Sequence, residues 1–114
     1  MQVVRIYADK DGTSHFEDIE FLFESGKRTD KSPLQAATGI VVHRVPAERV
    51  IDWHTAPRRQ YVVTLSGEWE IECGDGTVRR FSPGDVMLAE DQTGKGHISR
   101  VVGSESHVFM TVHL

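Results

Sequence analysis

Two histidines stand where polar stretches run into apolar, strand-like sequence. His54 lies in IDWHTAPRRQYVVTLSG, a segment from Ile51 to Gly67 whose first half is turn-like and polar. Its second half, from Gln60 to Leu65, is rich in Tyr, Val and Thr and ends in a Ser-Gly turn, which is strand chemistry. His97 closes a second polar stretch in Gly96-His97-Ile98-Ser99. A neutral imidazole titrates near ~6.5, so each serves as a general base around neutral pH or as a ligand to a divalent metal. Each also has a plain structural use, capping a strand or bonding a backbone carbonyl. Gln60 opens the strand that follows His54, and period two places Gln60, Val62 and Thr64 on one face.

Those residues need a rigid scaffold, and the rest of the chain reads as one. Short apolar runs recur about every ten residues between Gly, Pro and Asp turns, with no sustained helical period and no internal repeat. Strands are expected over 2–7, 15–23, 38–45, 49–52, 60–65, 68–73, 77–81, 86–89, 98–102 and 107–114. The polar stretch 24–34 reads as a surface loop. Ser66-Gly67 reads as a hairpin turn between the fifth and sixth of these strands, and Asp75-Gly76 as the next turn. The expected class is therefore all-β, a sandwich or barrel, and residues 1–114 are expected to form one domain.

Composition narrows the function classes. An apolar content of 39% and a charged content of 26% fit a folded globular chain. The net charge of −4 and the scattered Lys/Arg pairs argue against nucleic acid as a partner. No apolar run approaches membrane-spanning length, and MQVVRIYADKDG lacks the pattern of a signal peptide, so no membrane partner and a cytoplasmic location are expected. Cys73 is the lone cysteine and has no activating neighbour, which reads as a structural thiol. Thr93-Gly94-Lys95-Gly96 lacks the upstream glycine and the following Ser/Thr of a phosphate loop. No Gly-x-Ser-x-Gly elbow is present to support a serine nucleophile.

From His54 to Gly67, and again from Gly76 to His97 with Pro83-Gly84-Asp85 inside it, the chain resembles the two sequence motifs of the cupin superfamily. The resemblance covers about the central half of the chain. It implies a double-stranded β-helix, or jelly-roll barrel, that frequently dimerises, with a metal site at the barrel mouth. Anchored on Gly67, Gln60 falls at the motif's glutamate, His54 at its first histidine and Ala56 at its second, and His97 at the histidine of the second motif. The resemblance thus implies His54, Gln60 and His97 as metal ligands, with His54 and His97 also the catalytic candidates. The ion would be a divalent transition metal such as Zn, Ni, Fe or Mn. An amide in place of glutamate and Ala56 in place of histidine weaken such a site by one charge and one donor. His43, His107, Glu90 and Asp91 are candidate helpers. The expected function is binding of a metal and a small-molecule metabolite, with oxygenation or isomerisation as the chemistry. The alternative is a metal-free cupin that binds or senses a small ligand without turnover.

Overall fold

The computed structural model describes residues 2–114 and is all-β, with ten strands: β1 Val3–Ala8, β2 Ser14–Asp18, β3 Gly39–Val45, β4 Val50–His54, β5 Gln60–Ser66, β6 Glu68–Cys73, β7 Val78–Phe81, β8 Val86–Ala89, β9 His97–Val102 and β10 His107–His113. They form a six-stranded sheet in the order β2-β1-β8-β5-β10-β3 and a four-stranded sheet in the order β4-β9-β6-β7. All pairings are antiparallel except β1 with β8. The alternation read in β5 holds, with Gln60, Val62 and Thr64 buried on its inner face. Across from it, Trp69, Ile71 and Cys73 of β6 are buried from the other sheet. Val4, Ile6, Met87 and Phe81 complete the apolar filling between the layers.

Three details differ from the sequence expectation. Ser66-Gly67 is not a hairpin turn, because β5 pairs with β8 and β10 whereas β6 pairs with β7 and β9. The chain turns a corner there from one sheet to the other. Gly67 adopts φ +71°, and a Cβ on it would lie 2.3 Å from the Ser106 carbonyl oxygen, so the corner admits glycine alone. Asp75-Gly76, by contrast, does join the paired strands β6 and β7.

Strand β2 ends at Asp18 rather than running on to Phe23. Its ladder reaches only Val4↔Asp18, and a last bond from the Ile19 N–H to the Val3 carbonyl exhausts β1. Beyond that point the backbone has no strand to pair with, whatever the side-chain pattern. The segment 19–38 instead crosses to the far edge of the sheet, touching Tyr61 through the Phe21 ring and through a hydrogen bond from the Tyr61 hydroxyl to Gln35 Oε1 (2.8 Å). Finally, β4 runs on past Asp52 to include Trp53 and His54. No helix among the described residues is long and apolar enough to cross a membrane.

Candidate functional site

His54 is the last residue of β4 and His97 the first of β9, and the two face each other as a cross-strand pair. A register shift between Ile51 and His54 carries β4 far enough to reach that partner. Their ring centres lie 4.4 Å apart with the planes inclined at 61°. The approach is set by Gly96, in a left-handed conformation (φ +76°) where a Cβ would meet the His54 carbonyl oxygen at 1.9 Å. Buried Ser14 ties the same loop down, donating to the Gly96 carbonyl (2.7 Å) while its oxygen accepts from the Gly74 N–H (2.7 Å).

Each imidazole is fixed through its Nδ1. The His54 Nδ1–H donates to the Asp52 carbonyl (2.8 Å), an acceptor that requires the proton on that nitrogen. The His97 Nδ1–H donates to Asp91 Oδ2 at 2.5 Å, with His97 and Asp91 both buried. Asp91 in turn accepts at its backbone carbonyl from the Ala56 N–H (3.1 Å). With Nδ1 of each ring engaged, Nε2 is the atom left for a ligand, and neither Nε2 has a hydrogen-bond partner among the described residues. Burial pushes the His54 imidazole below its ordinary range, and the neighbouring His97 adds to this against the opposing pull of the Asp52 carbonyl. His54 is neutral at neutral pH.

These two side chains come from the four-stranded sheet. Gln60 reaches the same hollow from the opposite sheet, as the first residue of β5, paired with Ala89 and His113. Gln60 is buried, and its side chain makes no hydrogen bond to any described residue. A cavity of about 110 Å³ collects His54, Gln60 and His97, together with Ala56. Its walls are Val62, Met87, Ala89, Trp69 and Phe109, so a few polar atoms project into an apolar space. Fully buried His107 stands behind Trp69, stacked on it at 4.6 Å, with Nε2 3.2 Å from Thr64 Oγ1. Burial pushes its pKa down to about 4.

The remaining candidate donors do not join the pair. Glu90 accepts from Arg5 Nε and Arg59 Nε, both at 2.6 Å. His43 stacks on Phe109 (4.7 Å) and lies against Thr111, in a neighbouring depression. Asp91 is occupied with His97. Among the described residues no three His, Cys, Asp or Glu side chains come together in a metal-holding group.

The donor set that does converge is two imidazoles and one amide. Two imidazoles sharing an ion through Nε2 at ~2.1 Å and at right angles would have ring centres about 4.6 Å apart, close to the separation seen here. A carboxylate or carbonyl holding the far nitrogen of each ring is the usual orienting partner of a ligating histidine. The residues therefore fit a divalent transition ion with open positions, bound without a carboxylate. Sequence reasoning missed the orienting role of Asp91 and the place of Phe109 in the cavity wall. The only available signal was that Asp91 precedes His97 by six residues across a Gly-rich loop.

No protein-family model matches the chain, and no curated protein matches it. Solved structures do. A double-stranded β-helix protein from Klebsiella pneumoniae shares 30% identity over 64% of this chain, with a TM-score of 0.51. The match spans 63% of the length of that protein. A cupin of the RmlC-like type from Desulfovibrio desulfuricans and a conserved protein of unknown function from Streptococcus pyogenes are each 18% identical over 98% of this chain and 81% of theirs, with TM-scores of 0.49 and 0.47. Two sheets with no helix among the described residues give the architecture of a double-stranded β-helix. The likeness to the Klebsiella protein agrees with that fold.

Proposed function

We propose that this protein is a cupin that binds a divalent transition metal through His54 Nε2, His97 Nε2 and the Gln60 amide oxygen, and acts on a small-molecule metabolite in the adjoining cavity. The observation that carries the reading is the His54–His97 pair, with both Nδ1 atoms held by oxygen acceptors and both Nε2 atoms left free. A bound ion would supply Lewis acidity toward a ligand oxygen, in keeping with oxygenation or isomerisation. The chain's own contributions are distinct from that. Asp91 holds the His97 ring in one tautomer, the Asp52 carbonyl does the same for His54, and the walls of Val62, Met87 and Phe109 keep bulk water from the ligand. The absence of a carboxylate among the three donors favours a second reading, a metal-free pocket in which the ligand bonds directly to the two Nε2 atoms.

Elemental analysis of untagged protein separates the two. Near-stoichiometric metal in the wild type, lost in both His54→Ala and His97→Gln, supports the metal reading. Less than about a tenth of an equivalent in all three refutes it and leaves the metal-free pocket.

A further inference from the structure

Beside the inner cavity lies a shallow depression of about 280 Å³, and the two share Pro57, Gln60 and Phe109 as a common wall. Their charge is unlike that of the molecule. The chain carries 17 acidic against 13 basic residues, yet no Asp or Glu lines either hollow. Five of the six histidines do, together with Arg49 in the inner cavity and Arg58 in the outer depression.

Arg58 forms no ion pair among the described residues, whereas its neighbour Arg59 is tied to Glu90. Instead its Nη1 donates to His113 Nδ1 (3.1 Å), which puts the His113 proton on Nε2, 3.2 Å from Thr111 Oγ1. That contact holds the exposed guanidinium at the edge of the depression it lines. Gln60 supplies an independent pointer. It lines both hollows, and its amide, open to them, makes no hydrogen bond to a described residue. An amide open to both hollows is free to bond a ligand that enters them.

We propose that the ligand is a small organic carboxylate. Its anionic end sits against Arg58 in the outer depression, and its apolar body passes Gln60 into the cavity that holds His54 and His97. The planar fork of a guanidinium matches a carboxylate, and a carboxylate-free lining repels no anion. The inference deepens the proposed function and rests on the cavity being the ligand site, but not on a metal being present.

Benzoate and its neutral counterpart benzamide test it by titration calorimetry on the full chain, with and without chelator. Benzoate is expected to bind about tenfold more tightly than benzamide, the size of one charge-assisted contact. Arg58→Met should abolish that preference, and Arg44→Met, an exposed arginine outside both hollows, should keep it. Equal binding of the two probes, binding of neither, or a preference unchanged in Arg58→Met overturns the proposal. The chelator arm separates it from the metal reading. A preference that survives chelation in protein shown to lack metal leaves this inference standing while the metal reading fails. A preference lost on chelation but indifferent to Arg58 refutes this inference and leaves the metal reading intact.

Discussion

Acidification should charge an imidazole that the fold holds away from water. His107 is fully buried, and burial lowers its pKa from 6.5 to about 4. Below pH 6.5 the unfolded chain takes up a proton at this residue that the folded chain refuses, so folding loses stability as pH falls from about 6.5 toward 4. A depression of that size corresponds to about 3 kcal/mol once both states are protonated. By pH 5 the unfolded residue is almost fully charged and the folded one about a tenth charged, and about 2 kcal/mol of the loss has appeared.

His107→Gln isolates this contribution. The amide offers Thr64 Oγ1 a replacement partner and does not titrate. It also gives up the stacking on Trp69, so the variant starts from lower stability, but the pH dependence is the quantity read. Urea unfolding at pH 7.5 and 5.0, followed by tryptophan fluorescence, should show the wild type losing about 2 kcal/mol more than the variant. His54 and the carboxylates titrate in both proteins and cancel in the comparison. An equal loss in the two proteins would refute the claim that His107 is held neutral by burial.

Gln60→Glu places a carboxylate where burial disfavours it, so metal-free variant should melt about 5 °C lower than wild type. Added Ni or Zn should raise its melting temperature by more than it raises the wild type's, and an indifferent response would count against the three-donor set. Cys73 is fully buried with its pKa pushed up to about 12 by burial, so a thiol reagent should leave native protein unlabelled over an hour and label it fully in urea. Rapid native labelling would contradict that burial. Strand β3 is an edge strand with Ile40 and Val42 exposed at 64% and 60%, a continuous ladder to β10 and no proline or lysine guarding its free side. Paired antiparallel with a second copy about Val42, it is self-complementary, and we expect a homodimer through this edge. Light scattering should find wild type dimeric and Val42→Lys monomeric, whereas a dimer that survives the lysine lies elsewhere.

Much of this was legible from local pattern. Gln60, Val62 and Thr64 share one face as read, because period two depends only on the pleat, and the structure makes that face the inner one. The resemblance to the cupin motifs implied that His54, Gln60 and His97 face one barrel mouth; the three line one cavity, and their role as ligands belongs to the proposal above. What was not legible depended on partners distant in sequence. FEDIEFLF, a mixed pattern read as strand, does not pair to its end, because β2 stops where β1 has no more backbone to offer. Ser66-Gly67 has the residues of a hairpin, yet whether a glycine folds a strand back or sends it to the other sheet is decided by which strands pair, and Ser106 occupies the space beside it. Asp91 appeared as one more candidate donor. Its orienting role emerges only when the loop 90–96 lays its carboxylate against His97.

The tight approach at Gly96 also governs how this protein would look under saturation mutagenesis. Any side chain there would strike the His54 carbonyl, and one at Gly94 would meet the Gly12 carbonyl at 2.3 Å. Both positions should score as intolerant as His97, although neither presents a functional group to a ligand. A map of mutational sensitivity alone would therefore draw the site too large, extending it along the loop toward the β1–β2 turn. Abundance measured alongside function would restore its outline: substitutions at Gly94 and Gly96 remove the protein, whereas His54→Ala leaves it folded and removes only what it binds.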